Sequence, residues 1–402
     1  MDFLKQELLD LQERGLFRSL KSINSPQDST LIMSGRTVLN FCSNNYLGLA
    51  NHPRMIQASR DALKYGTGSG AARLVTGNYD LHQELEEGLA KWKGTESALL
   101  FNSGYHANIG VIPALAGEGD IIFSDELNHA SLIDGCRLSR AEKVIYRHHD
   151  LNHLEELLRD CRGAINRAPT RHLFIITEAI FSMEGDLCPL DDLLALTKKY
   201  NATVYLDEAH AVGVLGERGQ GLAPLNPPEN LICMGTLGKA FGSYGAFVAG
   251  SKTLKDYLIN KARSFIFTTA LPPSAVGASL AALKIIREEP ERREQLWENV
   301  KNVGARFSRP GGRPRKGTAS LTPPLHGVSP IFSIPIGDAQ KTMEVSQKLF
   351  EQGIFLQGIR PPTVPDGTSR LRLTVMATHT KEQLDHLMNG LQCVPDFACR
   401  AV

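Results

Sequence analysis

The sequence contains no run of about 18 consecutive apolar residues, the length a membrane-spanning helix needs, so no transmembrane segment is expected. Neither sign of charge is in excess: 44 Lys and Arg stand against 43 Asp and Glu, a formal net charge of +1. No global field therefore recruits nucleic acid or anionic lipid. The opening stretch, MDFLKQELLDLQERGLF, is amphipathic and mixed in charge, and lacks the continuous apolar core of a signal peptide. A cytoplasmic protein is expected. The seven cysteines, Cys42, Cys136, Cys161, Cys188, Cys233, Cys393 and Cys399, are odd in number and form no C-x-x-C pair. Reduced thiols are expected, with neither a disulfide framework nor a metal site. Internal repeats and low-complexity segments are absent too.

What remains is an ordinary globular composition, 42% apolar and 22% charged. Its 402 residues suffice for two domains. Residues 1–20 read as a helix, with Leu4, Leu8 and Leu11 at helical spacing. From about 95 to 250, short apolar runs alternate with helical segments. The runs are SALLF (97–101), DIIF (120–123), KVIY (143–146), HLFIITEAI (172–180), TVYLDEA (203–209), LICMGTL (231–237) and YGAFVAG (244–250). Helix candidates between them include LNHLEELLRDCR and LDDLLALTKKY. This alternation predicts an α/β fold, a mostly parallel sheet with helices on its faces. A helical stretch over roughly 274–308 follows, with a break at Pro290. Residues 309–324, RPGGRPRKGTASLTPP, read as a solvated basic loop. The strand 330–336, the helix through KTMEVSQKLFEQG, IFLQGI and the strand 370–376 form a small α+β domain.

The stretch VYLDEAHAVGVLG (204–216) spells D-E-A-H, the box of a nucleic-acid helicase class. Such a motor also needs G-x-x-x-x-G-K-[ST] upstream of the box. The sole Gly-Lys pair is Gly238-Lys239; Cys233 occupies the position of the first glycine and Ala240 that of the Ser/Thr. The pair also follows the box instead of preceding it. Magnesium and phosphates then have no cradle, and the motor reading fails.

Asp207 ends one apolar strand and Lys239 follows another, so both fall at the carboxyl edge of a parallel sheet, where ligands bind. A structural ion pair is the plainer reading of such a couple. The neighbourhood offers more. A lysine that forms a Schiff base needs a lowered pKa and room around its amine, and Gly238, Ala240 and Gly242 are small. Pyridoxal phosphate needs an anion for its ring nitrogen, a flat group on its face, donors for its phenolic oxygen and a phosphate cup. Asp207 supplies the anion. His210 lies within reach of the phenolic oxygen, and His129 is a flat partner. Ser103, Gly104 and Tyr105, opening a helix after SALLF, present backbone N–H groups to a phosphate. Thr236 adds a hydroxyl.

The chain resembles the α-oxoamine synthases, a branch of the fold-type-I pyridoxal-phosphate enzymes, over about residues 5 to 390. The segments that carry the resemblance include 40-NFCSNNYLGLANHP-53, 66-GTGSGAARLVTGNYDLHQELE-86, 125-DELNHASLIDG-135, 177-TEAIFSMEGD-186, 206-LDEAHAVGVLGERGQG-221, 235-GTLGKAFG-242, 265-FIFTTALPP-273 and 359-IRPPTVPDGTSRLRLT-374. The resemblance implies an N-terminal helix and arm over 1–50, a large cofactor-binding domain over 51–285 and a small domain over 286–402. It implies that Lys239 is the Schiff-base lysine and the proton-transferring base. Asp207 partners the pyridine nitrogen, and His129 stacks on the ring. His210, Ser182 and Glu178 border the phenolic oxygen, while Gly104, Tyr105 and Thr236 hold ring or phosphate. Thr268 or Thr269 reaches the phosphate of a neighbouring subunit, since the family forms homodimers with shared sites. Asn44 and Arg372 take the amino-acid carboxylate, Arg370 being the competitor on the same strand face. Arg18 and Thr363 contact substrate.

The reaction implied is condensation of an amino acid with an acyl thioester and loss of carbon dioxide, giving an α-aminoketone. IRPPTVPDGTSRLRLT and AARLVTGNYDLHQELEEGLAKW favour L-alanine with a pimeloyl thioester, carried by coenzyme A or acyl carrier protein, in biotin synthesis. QERGLF and DELNHASLIDGCRLSRAE lean to the alternative, glycine with acetyl-CoA. A non-catalytic subunit is the third reading, against which Lys239, Asp207 and His210 stand together.

Overall fold

The computed structural model describes residues 1–165, 172–307 and 328–392. The loop expected at 309–324, and Cys393 and Cys399, lie outside them. The chain opens with α1 (Asp2–Glu13), β1 (Thr30–Met33) and β2 (Arg36–Asn40). Helices α2 (Pro53–Ala62) and α3 (Asp80–Lys93) precede β3 (Ser97–Phe101), α4 (Gly104–Leu115), β4 (Ile121–Asp125), α5 (Ala130–Leu138) and β5 (Glu142–Tyr146). Next come α6 (Leu151–Ile165), β6 (Leu173–Glu178), α7 (Leu190–Tyr200), β7 (Ala202–Asp207), β8 (Leu231–Thr236) and β9 (Ala246–Gly250). Helices α8 (Lys252–Lys261), α9 (Arg263–Ile266), α10 (Pro273–Glu288) and α11 (Glu291–Phe307) follow. The chain continues through β10 (Ile331–Gly337), α12 (Ala339–Glu351), β11 (Ile354–Phe355), β12 (Gly358–Ile359), β13 (Ser369–Thr374) and α13 (Lys381–Leu391). Among the described residues no helix is long and apolar enough to cross a membrane.

The chain divides into two compact units. The larger comprises Leu49–Phe181 and Leu187–Pro290. Its seven-stranded sheet has the order β3-β9-β8-β7-β6-β4-β5. Each of the seven apolar runs read from the sequence supplies one of these strands. β4, β5, β6, β7 and β8 pair in parallel, while β9 runs antiparallel to both β3 and β8. β3, β4 and β8 are buried along their whole length, as strands covered on both faces are. β5, at the edge, is largely exposed and carries Glu142 and Lys143. The core on one side gathers Phe101, Val111, Leu132, Ile176, Met234 and Phe265.

The smaller unit comprises Met1–Gly48, Ser182–Asp186 and the C-terminal part from Glu291. The arm residues thus fall with the C-terminal segment, because β2 pairs in parallel with β11. A second sheet orders β10-β13-β12. The helix expected over 1–20 ends at Glu13: Gly15 turns into the left-handed region (φ 66°), and the Leu16 N–H folds back onto the Leu11 carbonyl at 2.7 Å. Cys42, Cys136, Cys161, Cys188 and Cys233 form no disulfide, and burial pushes Cys42 up to about 12 and Cys136 up to about 11.

His379 shows how this unit depends on pH. Its ring stacks on Phe41 with centroids 4.3 Å apart. Nδ1 accepts from the Met376 N–H at 2.9 Å, so the neutral ring donates from Nε2 to the Asn40 carbonyl at 3.0 Å. Burial lowers its pKa from 6.5 to about 4, the Asn40 carbonyl opposing. Between those values the unfolded chain binds a proton that the folded one refuses. The stability His379 contributes is therefore complete above pH 6.5 and falls as the pH drops towards 4. The linkage amounts to roughly 2 kcal/mol between pH 7 and 5. Urea unfolding at these two pH values should show that extra loss in the wild type and not in H379Q; equal losses in the two proteins would refute it.

Candidate active site

In the larger unit, Glu178, Asp207 and Met234 stand in register across β6, β7 and β8. The ends of these strands form the carboxyl edge, where the loop carrying Lys239 leaves β8. That loop closes on itself: the Leu237 N–H bonds the Gly245 carbonyl at 2.8 Å, and the Ser243 N–H bonds the Leu237 carbonyl at 2.9 Å. The Thr236 hydroxyl donates to the Gly245 carbonyl at 3.1 Å and accepts from the Gly238 N–H at 3.2 Å. Thr236 therefore braces the lysine loop directly. Of the small residues flanking the lysine, Gly238 is the exposed one, and a Cβ there would meet nothing nearer than 3.7 Å. Ala240 is buried in the core. Gly242 answers a different need: at φ 63° it lies so close to Ala50 that a Cβ would come within 2.3 Å of the Ala50 nitrogen.

Lys239 Nζ lies 2.7 Å from His210 Nε2. The two expected site residues are thus joined directly. Asp207 is buried at the end of β7, where its carboxylate accepts from the Ala209 N–H at 2.8 Å and from Asn108 Nδ2 at 2.9 Å. His129 caps α5, its Nδ1 accepting from the Ser131 N–H at 3.2 Å. The His129 N–H donates to Glu178 Oε1 at 2.5 Å, so Glu178 fixes the backbone of His129. Burial lowers the pKa of His129; Lys239 adds to this and Asp207 opposes it, so both charges act on the ring.

Helix α4 begins at Gly104, with Ser103 as its cap: the Ser103 hydroxyl accepts from the His106 N–H at 3.2 Å. The amides of Gly104 and Tyr105 have no acceptor within their own helix. A Cβ at Gly104 would make only ordinary contact with Met234, at 3.5 Å, so the protein's own atoms leave that space open. The Tyr105 hydroxyl donates to Asp134 at 2.7 Å, away from the helix start. Thr268 accepts from Asn102 Nδ2 at 2.9 Å, and Thr269 is exposed.

In the smaller unit, Arg372 is buried in β13. Its Nη1 donates to Asn44 Oδ1 at 3.1 Å and its Nε to the Ser182 carbonyl at 2.5 Å. These acceptors are neutral, so its charge is not spent on them. Arg370 instead pairs with the Glu184 carboxylate at 2.7 Å. The structure thus separates two arginines that strand alternation alone cannot. Arg18 and Thr363 line one cavity of about 560 Å³, along with Lys21, Phe355 and Arg360. Arg18 Nη2 donates to the Pro361 carbonyl at 2.8 Å.

Sequence reasoning missed Arg360, which is 6% exposed and whose Nε lacks a partner. It also missed the fully buried pair of Lys93 and Glu208, whose carboxylate accepts from the Ala223 N–H at 2.9 Å and so anchors the turn after Asp207. Only the adjacency of Glu208 to Asp207 hinted at it.

The signature of the family described as Aminotransferase class I and II matches residues 36–391. The chain belongs to that family. Within the aminotransferase class I and II family it is 48% identical over 389 residues to 8-amino-7-oxononanoate synthase from Citrifermentans bemidjiense, covering 96% of each chain. It is 44% identical to that of Alkaliphilus oremlandii, covering 98% of this chain and 97% of the other. Among solved structures, a serine palmitoyltransferase from S. paucimobilis with bound PLP superimposes with a TM-score of 0.87 at 29% identity, over 100% and 98% of the two chains. The fold-type-I architecture expected from the sequence is borne out. The described residues of this family member also fit pyridoxal phosphate. They provide an amine with open space at Gly238, a buried carboxylate, an imidazole that feels both charges, and a glycine-opened helix start with two free amides.

Proposed function

We propose that this protein condenses L-alanine with a pimeloyl thioester, with loss of carbon dioxide, to give 8-amino-7-oxononanoate for biotin synthesis. The observation that carries the reading is the Lys239–His210 contact together with the hydrogen-bonded chain from Asp207 through Asn108 and Ser131 to His129, in a chain whose near-full-length relatives bear that enzyme's name. Pyridoxal phosphate, bound there, supplies an electron sink for charge developing at the amino acid's α-carbon. Lys239 Nζ holds the cofactor, then takes the α-proton and later returns one, with His210 orienting its lone pair from 2.7 Å. Asp207 keeps a proton on the ring nitrogen by its buried negative charge. His129 covers the ring face and donates to the thioester oxygen as charge builds on it. The Ser103–Tyr105 backbone would hold the phosphate, while Thr236, expected to share in this, spends its hydroxyl on bracing the lysine loop. Glu178, Ser182 and His210 border the phenolic oxygen.

The Arg372 fork and Asn44 take the amino-acid carboxylate, a role that suits an arginine bonded to neutral acceptors among the described residues. Arg18 and Thr363 receive the acyl chain in their cavity. The thiol carrier is coenzyme A or acyl carrier protein. A homodimer is the working form, Thr268 or Thr269 serving the phosphate of the second copy. The exposed apolar side chains of Leu74, Val75 and Phe267 support a surface of that kind. The glycine and acetyl-CoA reaction is not favoured, because the near-full-length relatives carry the other name.

With pyridoxal phosphate bound, thiol release from L-alanine and pimeloyl-CoA should exceed that from glycine and acetyl-CoA by at least about tenfold, the scale on which a pocket discriminates small apolar differences. The reverse preference would assign the alternative reaction. Turnover of neither pair would remove the catalytic reading.

A further inference from the structure

Asn108, in the second turn of α4, is completely buried and links the site residue Asp207 to Ser131, the neighbour of His129. Its Nδ2 donates to Asp207 Oδ2 at 2.9 Å and to Ser131 Oγ at 2.8 Å. Its Oδ1 accepts from the Tyr205 hydroxyl at 2.8 Å. The amide can face only one way, since an ionised carboxylate accepts and never donates. Burial pushes the Tyr205 phenol well above its ordinary range, so it remains the donor at the other end.

The direction then passes to Ser131. Its oxygen accepts a hydrogen bond from Asn108, leaving its own proton to give, and His129 Nδ1 stands 2.8 Å away. The Ser131 backbone N–H points at the same nitrogen from 3.2 Å. Two donors thus converge on Nδ1. A proton on Nδ1 would be driven against both.

We propose that Asn108 and Ser131 are positioning residues that hold His129 in its Nε2–H tautomer through a one-way relay anchored on the Asp207 carboxylate. The ring therefore keeps its proton on the nitrogen remote from α5, ready to donate outward. Asp207 serves twice, as the anion of the site and as the acceptor that orients the Asn108 amide. The proposal deepens the reading above, in which His129 donates to the thioester oxygen, but the tautomer itself can be measured without any turnover.

The experiment is nitrogen-15 NMR of histidine-labelled holoenzyme near pH 7.5, with the His129 signals assigned by their loss in H129Q. The wild type should show the Nε2–H tautomer. In S131A the ring should become a mixture of tautomers. Turnover should fall on the order of tenfold, a fraction of the 10²–10⁴ a positioned proton donor contributes, with cofactor affinity within about twofold of wild type. N108A should move the tautomer in the same direction, with weaker cofactor binding through Asp207. An Nδ1–H tautomer in the wild type, or an unchanged tautomer in S131A, would overturn the relay. Should S131A fail to fold, N108A decides, and an unchanged tautomer there would overturn the relay. A correct tautomer in a protein that turns over neither substrate pair would leave the relay standing and sink the functional reading.

Discussion

Lys239→Ala should lower turnover of L-alanine with pimeloyl-CoA by roughly 10⁴-fold or more, the scale on which removal of a group that both binds covalently and transfers protons is felt. That corresponds to about 5.5 kcal/mol of transition-state stabilisation. The effect is large because no neighbour can stand in. His210 can accept a proton but has no primary amine. Lys93, in the same unit, is fully buried and committed to Glu208 and to the Gln220 carbonyl. Fold should be spared, since Lys239 is only half-buried and its loop is closed by backbone bonds and by Thr236, none of which uses the lysine side chain. Borohydride reduction of the loaded wild type should leave the cofactor's mass on the peptide carrying Lys239, and on no peptide of the variant. A loss of less than about tenfold, with normal circular dichroism, would refute the assignment of Lys239 as the base.

Much of this site was legible because parallel strands buried on both faces announce themselves as unbroken apolar runs. Locating β7 and β8 located their ends, and Asp207 and Lys239 followed. The direction of β9 was not legible: YGAFVAG reads the same whether it runs with its neighbours or against them. The end of α1 is not legible from periodicity, because Leu4, Leu8 and Leu11 mark a helical face without marking its end, which Gly15 sets. Arg370 and Arg372 share a face by alternation, and only Glu184, nearly two hundred residues away in sequence, tells them apart. The same limit hid Asn108 and Lys93. Each looks like an ordinary helix residue until folding brings Asp207 to one and Glu208 to the other. Gly242 was read as making room for the lysine, yet its absent side chain is required by Ala50. Chemistry-bearing residues next to strand ends could be found from the sequence, whereas residues that orient them through long-range hydrogen bonds could not.

Asp207→Asn should reduce turnover by about 10²–10³-fold, the scale measured when one preorganised electrostatic partner is removed. Its effect on stability should be smaller but distinct. The carboxylate accepts from the Ala209 N–H and from Asn108 Nδ2. An amide in its place has one acceptor oxygen, so whichever way it turns, a buried donor loses its partner, at a cost of about 1–3 kcal/mol. Urea unfolding of D207N should report that loss, and steady-state kinetics the larger one. The two effects can be separated by exchanging the pair. In the double variant N108D/D207N the acid on α4 can accept from the amide on β7 and from Tyr205, so those hydrogen bonds are restored, while Ser131 turns its one proton from His129 to the acid, a loss that S131A measures separately. Stability should largely return. The rate should not, because the negative charge then sits on the helix and not at the end of β7, where the ring nitrogen needs it. Recovery of both together would mean that Asp207 acts only as a structural acceptor, and the role given to its charge would fall.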